Sequence, residues 1–376
     1  MSDKGRIYFY GTLPKKGEPP FGGGEVGNLR TVTTLSQNGY DVRIVRHGKA
    51  SSGQSKAFRH LTYPFRFLAG VGKWFFLLLF GNRKSIAHVS GFYGSTMPLD
   101  VTLVDIASFL GYKTVYELRG GGATEFYNSG DNKYKRRFKR AVSKACCVFS
   151  QGLENKPLLD SICSTPFFYY PNSVNASFYP ESLPEKPLDK INVIFFGRIE
   201  PAKHPLLSVE AISLLQKDFR DLHFTLIGRG EESYVNLVKK AMNEKLSPGS
   251  FEYVPGCDHD SLKSYLERMH FLIFPSAQKR EGQSNAITEA MSFGVIPIAT
   301  PQGFTRSVVG FGELIVENLG AESFASAISS IIKSGKIPYY SGLCYTRFKE
   351  NYTEETVSAS MLNKYDELFR DRQSIR

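Results

Sequence analysis

Phe274-Pro-Ser-Ala-Gln-Lys-Arg-Glu281-Gly-Gln-Ser-Asn-Ala-Ile-Thr-Glu289-Ala-Met-Ser-Phe-Gly294 carries the sharpest pattern in the chain. It reads as the end of a strand, a polar loop, a helix and a glycine stop, with Gly294 suited to the left-handed position that closes a helix. Val295-Ile-Pro-Ile then begins another strand. Gly282, Gln283, Ser284 and Asn285 offer backbone N–H groups at the helix start, which suits them to a diphosphate. Glu281 sits before the helix and Glu289 one to two turns inside it, so the two carboxylates flank the phosphates. Carboxylates accept hydrogen bonds from vicinal hydroxyls, so one can hold a sugar and the other a ribose. By spacing alone, a solvated loop acid and a locally paired helix acid fit equally well.

Outward from this segment, apolar runs alternate with helix-period stretches, the pattern of parallel sheets covered by helices on both faces. Strands are expected at Ile7 to Tyr10, Val42 to Val45, Ile86 to Val89, Thr114 to Leu118 and Cys146 to Ser150. A second series follows at Asn192 to Phe196, Phe224 to Ile227, Phe251 to Val254, Phe271 to Phe274, Val295 to Ala299 and Glu313 to Val316. Helices include Leu206 to Gln216 and Tyr234 to Asn243, and Pro180 to Lys190 reads as a linker. The chain of 376 residues is long enough for two domains. The expected fold is therefore two Rossmann-like, doubly wound α/β domains, residues 1–180 and 181–352, with parallel sheets facing across a cleft. Residues 353–376 form a helix returning to the first domain.

Charge is unevenly shared. Residues 1–150 hold 23 basic and 9 acidic side chains, whereas residues 151–376 hold 24 and 27. A one-sided basic field suits an anionic partner, either nucleic acid or an acidic membrane surface, although a solvated basic face needs no partner. The start of the chain leaves no room for a signal peptide, which points to the cytoplasm. Five cysteines, with Cys146 and Cys147 adjacent, have neither disulfide nor zinc spacing and read as buried thiols.

The Glu281 and Glu289 segment, with Ala290, Met291, Gly294 and Pro297 in register, resembles the signature of the family-4 retaining glycosyltransferases of GT-B fold, the group 1 type of bacterial polysaccharide synthesis. The resemblance extends to Gly197-Arg198-Ile-Glu-Pro-Ala-Lys203, Leu226-Ile-Gly228-Arg-Gly230, Val254-Pro-Gly256, Phe274-Pro-Ser276 and Pro171-Asn172-Ser-Val-Asn175. It implies that Glu281 binds donor-sugar hydroxyls, that Glu289 binds the ribose, and that Arg198 and Lys203 bind the diphosphate. Backbone near Gly256 would meet the base. The implied reaction is sugar transfer from a nucleotide sugar, a UDP-sugar by preference, to a glycan or lipid-linked acceptor, with retention. Gly303 keeps part of a glycine loop, and Arg306 stands where the family often has Glu. A catalytically inactive nucleotide-sugar binder would share these residues.

Gly23, Gly24 and Glu25, in the run from Phe21 to Asn28, resemble the family's N-terminal glycine loop and read as an acceptor or phosphate loop. The spacing fails the dinucleotide fingerprint, so a nicotinamide cofactor is not expected. Arg119, before Gly120-Gly121-Gly122, stands near the place where relatives carry a His. It could hold a diphosphate or an anionic acceptor, or pair with Glu117 or Glu125 on the surface. Fixed cations and helix N–H groups can stabilise the leaving diphosphate, so no metal or other cofactor is expected. Asp260 reads as a helix N-cap rather than, with Asp258, a metal ligand.

Pro64 to Phe80 is the most apolar stretch, yet Arg66 and Lys73 interrupt it too early for a membrane span. Two readings remain, a core helix and an interfacial helix with Trp74 and Phe75 in lipid. The basic run Lys133 to Arg140, with Lys144, favours docking on an anionic inner membrane leaflet, and a solvated face is its alternative. No nucleic-acid module is recognisable, so nucleic acid is not an expected partner.

Overall fold

The computed structural model describes residues 4–14, 17–18, 22–47 and 56–370, leaving aside the side chains of 22, 56–64 and 92. Met1 to Asp3, Phe21 of the glycine run and the Pro64 side chain lie outside the described residues. The chain divides into two compact units. Unit 1 comprises residues 1–170 with 358–376, and unit 2 is Pro171–Val357. The division falls after Tyr170, ahead of the expected boundary at 180.

In unit 1, strands and helices alternate as β1 (Arg6–Gly11), α1 (Gly22–Gln37), β2 (Asp41–Arg46), α2 (Lys56–Leu79), β3 (Ile86–Phe92), α3 (Met97–Phe109) and β4 (Lys113–Arg119). They continue as α4 (Ala123–Ser129), α5 (Asn132–Lys144), β5 (Cys147–Ser150), α6 (Lys156–Ile162) and β6 (Phe167–Tyr169). All paired strands are parallel, in the order β2-β1-β3-β4-β5-β6. Strand β6 was not anticipated: three residues behind Pro166 give no readable period. On one face of the sheet, Tyr8, Tyr10, Ala87, Tyr116 and Val148 pack with Trp74, Leu78, Val104 and Phe138 from α2, α3 and α5. Trp74 is fully buried and donates from Nε1 to the Leu103 carbonyl at 3.0 Å. It belongs to the core and does not enter lipid, which corrects one half of the interfacial reading.

Unit 2 runs β7 (Ile191–Phe196), α7 (Pro205–Asp218), β8 (Leu222–Ile227), α8 (Glu232–Lys245), β9 (Phe251–Val254), α9 (His259–Leu266) and β10 (Phe271–Phe274). It ends with α10 (Asn285–Met291), β11 (Ile296–Ala299), α11 (Thr305–Val309), α12 (Ala321–Lys333) and α13 (Ile337–Asn351). Its parallel sheet has the order β11-β10-β7-β8-β9. The strand expected at Glu313 to Val316 is instead a short 3-10 turn, Gly312–Leu314, followed by a single bridge between Ile315 and Ala299. The turn takes up Gly312 to Leu314, so only Ile315 and Val316 are left to meet Ala299, with Val316 N–H bonded to Ala299 O at 2.8 Å.

Helix α14 (Glu354–Arg370) begins in unit 2, and its residues from Ser358 pack in unit 1. There Tyr365 is fully buried, Phe369 stacks on Tyr40 at 5.8 Å, and the Tyr40 hydroxyl bonds Asp366. Only Cys147 and Cys344 are buried; Cys257 is exposed and Cys146 and Cys163 are half-buried, contrary to the uniform burial expected of the thiols.

Candidate donor site in unit 2

Strand order decides which loops meet. The chain adds β8 and β9 on one side of β7, then crosses to lay β10 on the other, with Phe271 beside Val193 and Leu272 beside Ile194. At such a reversal the loops leaving the two neighbouring strands diverge and open a crevice at their carboxyl ends. Those loops are Gly197 to His204 after β7 and Pro275 to Ser284 after β10. The two segments singled out in the sequence are thereby brought together.

Lys203 closes a 3-10 turn, Pro201–Lys203, and its side chain is largely buried. Its Nζ pairs with Glu281 Oε2 and lies 5.0 Å from the centroid of the Phe274 ring. The Ser276 hydroxyl donates to the same Glu281 oxygen at 3.1 Å. Both contacts thus fall on one carboxylate oxygen, Oε2. In the sequence Ser276 reads only as part of a strand end, and nothing in its spacing marks this bond. His204, directly after Lys203, is the one non-glycine residue with positive φ, 49°, among the described residues. Such a conformation costs about 1–2 kcal/mol, and it sits beside the candidate cation.

Arg198 is mostly exposed and pairs with Glu200 at 3.1 Å, while Glu200 accepts from the Gln278 side chain at 2.6 Å. Two tethers therefore cross the crevice, Lys203 to Glu281 and Glu200 to Gln278. Gly303 has φ +58°, and a Cβ there would lie 1.8 Å from the Glu281 carbonyl oxygen. The retained glycine is needed for this close packing behind Glu281.

Gly228 is also explained by backbone approach. A Cβ at Gly228 would meet the Gly197 carbonyl oxygen at 2.0 Å, and one at Gly230 would meet that of Ile199 at 2.0 Å. The Gly197-Arg198-Ile199 and Gly228-Arg229-Gly230 segments run together, with Ile199 N–H bonded to Arg229 O at 2.8 Å. Neither carbonyl can swing aside as a flexible side chain would. Gly228→Ala should therefore lower stability by about 2–3 kcal/mol, read as a drop in melting temperature. Gly256 has φ +84° and packs against Arg229, whose Nε donates to Pro255 O at 2.9 Å.

Helix α10 starts after Ser284, whose side chain makes no cap bond, so Gly282 and Gln283 lie ahead of the helix and Asn285 is its first residue. The Gln283 side chain is occupied structurally. Its Oε1 accepts from Asn172 N–H and its Nε2 donates to Asn172 O at 2.9 Å, while Asn172 Nδ2 lies 3.2 Å from Asn285 Oδ1. Both ends of the Gln283 amide are therefore taken up within unit 2. Burial raises the Glu289 carboxyl above its ordinary range, and nearby His259 acts in the opposite direction. His259, stacked edge-on against Phe178 at 5.3 Å, is a neighbour the sequence did not suggest. The cap of α9 is Asp258, which accepts from Ser261 N–H at 2.8 Å; Asp260 lies in the first turn and pairs with Lys263. This corrects the expected cap by two positions. Among the described residues, no group of three or more His, Cys, Asp or Glu side chains is placed to hold a metal ion.

In unit 1, Gly23, Gly24 and Glu25 form the first turn of α1 rather than a loop. Glu25 is buried, whereas Gly23 is exposed with nothing within 4 Å of a Cβ. Arg119 ends β4 and is buried, its Nη2 2.6 Å from Glu117 Oε1 and its Nε 3.2 Å from Ser90 Oγ. A Cβ at Gly27 would lie 1.9 Å from Arg119 Nη1. The expected surface pairing with Glu117 exists, but inside the protein, and the guanidinium is not presented as a free phosphate fork.

Residues 182–342 match the family model described as glycosyl transferases group 1. The poly(glycerol-phosphate) alpha-glucosyltransferase of Bacillus subtilis strain 168 is 25% identical over 219 residues, which cover 54% of this chain and 31% of that protein. The chain thus matches less than a third of this curated relative. A sucrose-phosphate synthase from Thermosynechococcus elongatus superposes with a TM-score of 0.70 at 16% identity, covering 98% of this chain and 100% of the other. A glycosyltransferase from Rickettsia africae gives 0.71 at 16% over 97% and 98%. Anabaena HepE, solved with UDP, gives 0.69 at 12% over 96% and 100%. The fold is GT-B, two parallel-sheet α/β units.

Proposed function

We propose, from the premise that residues 182–342 are a glycosyl transferases group 1 domain, that this chain moves a sugar from a nucleotide sugar, a UDP-sugar by preference, to a glycan or lipid-linked glycan acceptor. The observation that carries the reading is the convergence of Lys203, Ser276 and Glu281 at the β7/β10 reversal. Glu281 Oε1 would accept from donor-sugar hydroxyls, and Glu289 from the ribose hydroxyls. Lys203, Arg198 and backbone N–H groups from Gly282 to Asn285 would meet the diphosphate, with the base near Gly256. As the bond from the sugar's anomeric carbon to the diphosphate oxygen breaks, Lys203 and Arg198 offset the charge left on that oxygen. The acceptor hydroxyl oxygen bonds the same carbon from the face the leaving group departs, and its proton passes to the diphosphate. Retention, metal independence and membership of family 4 belong to this reading. So do acceptor contacts at Gly23, Gly24 and Glu25 in unit 1, a role in cell-surface polysaccharide synthesis, and a peripheral station of unit 1 on an anionic membrane face of the cytoplasm, where a lipid-linked acceptor would be met.

The test is a panel of nucleotide sugars in a melting assay, followed by product mass with candidate acceptors. A ligand at 100 times its Kd stabilises by about 2.7 kcal/mol, and absence of any shift with every nucleotide and nucleotide sugar would remove the reading. Because burial raises the Glu289 carboxyl, and the ionised form accepts more strongly from the ribose hydroxyls than the protonated one, the stabilisation by donor should weaken as pH falls. Glu289→Gln should bind more weakly and lose that pH dependence.

A further inference from the structure

Helices α2, α3 and α5 lie side by side on one face of the unit 1 sheet, and their inner sides form its core. The outer side of α2 is unlike an ordinary solvated face. Phe65 is 72% exposed, Leu68 66% and Phe76 59%, and Phe80, just beyond the helix, is 83% exposed. These positions recur at helical spacing and make one apolar stripe, opposite the buried Trp74 and Leu78. Crossover helices of a parallel sheet run in the same direction, so the ends of α2 and α3 share an edge. At that edge Phe109 is 86% exposed. The edge is firmly built: the Tyr112 hydroxyl donates to Leu78 O at 2.6 Å, and Arg83 lies over the Tyr112 ring.

The charged side chains of α2 and α5 are all basic, and Asp105 of α3 lies between them. Neither residues 56–84 nor residues 132–144 contain an Asp or Glu. Lys73 on α2 and Lys84 in the turn beyond it are exposed. On α5, Arg140 and Lys144 pair with Asp105, but Lys133, Arg136 and Lys139 are exposed and meet no carboxylate among the described residues. Tyr127, Asn132, Lys135, Arg136 and Lys139 line a concavity of about 380 Å³. No helix among the described residues is long and apolar enough to cross a membrane.

We propose that this outer face of α2, α3 and α5 is a membrane-docking surface, with Phe65, Leu68, Phe76, Phe80 and Phe109 in the interfacial layer of a bilayer and the α5 cations on anionic headgroup phosphates. An exposed apolar stripe beside cations that no acid balances suits a headgroup layer, which supplies both apolar depth and negative charge. It is a poor match for a second copy of the same basic surface, which would set like charges against each other. The proposal gives a surface to the membrane contact in the proposed function. Vesicle binding needs no sugar transfer, so its failure would leave the donor site untouched, and failure of the donor site would leave it standing.

The experiment is flotation of the full chain with vesicles of phosphatidylcholine alone and of phosphatidylcholine mixed with phosphatidylglycerol. Binding is expected only to the mixed vesicles, with part of it resistant to salt. Phe76→Ser/Phe80→Ser should abolish the salt-resistant part, and Arg136→Glu/Lys139→Glu should lower binding about tenfold or more at low salt. Both variants should keep the parent's Trp74 emission and melting temperature, which separates loss of docking from loss of fold. The proposal is overturned if the parent fails to float at low salt, or if the Phe76→Ser/Phe80→Ser variant floats as the parent does. Soluble polyphosphate binding as tightly as the vesicles, without dependence on Phe76 and Phe80, would assign the cations to a free polyanion instead. A dimer in sedimentation that dissociates on Phe76→Ser/Phe80→Ser would assign the stripe to a second copy.

Discussion

Lys203→Met should reduce sugar transfer by about 10²–10³-fold, the range for removing one fixed charge stabiliser from a developing oxyanion. Two effects act at once and can be separated. Methionine is one atom shorter but keeps the unbranched apolar stem near the Phe274 ring, so the change removes charge more than volume. It also leaves Glu281, largely buried, facing the Ser276 hydroxyl without its cation. The pair keeps some solvent contact, so the stability loss should fall below the roughly 3–5 kcal/mol typical of fully buried pairs. Lys203→Met/Glu281→Gln removes both charges and should recover most of the melting temperature while transfer stays low. Transfer by Lys203→Met at the parent's rate would exclude the assigned role. Glu281→Gln alone should cost turnover more than nucleotide affinity, because Glu281 is assigned to the sugar rather than to the nucleotide.

The strands were legible because both faces of each sheet are covered. A strand such as Ile7 to Tyr10 or Phe271 to Phe274 is then an unbroken apolar run, and its boundaries shift by only a residue or two in the structure. Strand order was not legible. Nothing local to Lys203 or Glu281 says that β10 lies beside β7, and that neighbour relation creates their ion pair. The glycines were legible as loops but not as contacts: Gly228 and Gly303 are required by carbonyl groups far away in sequence. Trp74 shows the limit of composition. In an apolar helix the same ring could face lipid or core, and only the packing of α2 on α3 decides that Trp74 turns inward while Phe76 and Phe80 turn out.

Arg119→Met should destabilise unit 1 by about 3–5 kcal/mol, the cost of leaving a buried carboxylate without its partner. The argument rests on a chain of buried polar groups. Glu117 Oε1 faces Arg119 at 2.6 Å, and its Oε2 is 3.0 Å from His88 Nε2. His88 Nδ1 in turn meets the Tyr365 hydroxyl of α14 at 2.5 Å. An ionised Glu117 can only accept, so Nε2 of His88 must carry the proton in that bond. Burial alone would raise the Glu117 carboxyl, but Arg119 and His88 together hold it below its ordinary value. In the parent this contribution is present above the unfolded carboxyl's range and is lost only as pH falls through the depressed folded value. Without the guanidinium, burial dominates and the folded value rises above the unfolded one, so the sign reverses. The penalty is then full at neutral pH and shrinks on acidification, because protonation relieves the uncompensated charge. Trp74, the single tryptophan, lies in the core of unit 1 and makes its emission a local reporter of urea unfolding. The deficit of Arg119→Met relative to the parent should therefore be larger at pH 7 than at pH 5, and Glu117→Gln/Arg119→Met should remove most of it. A deficit independent of pH and unrelieved in the double variant would mean that Arg119 acts by packing against Gly27 rather than by charge.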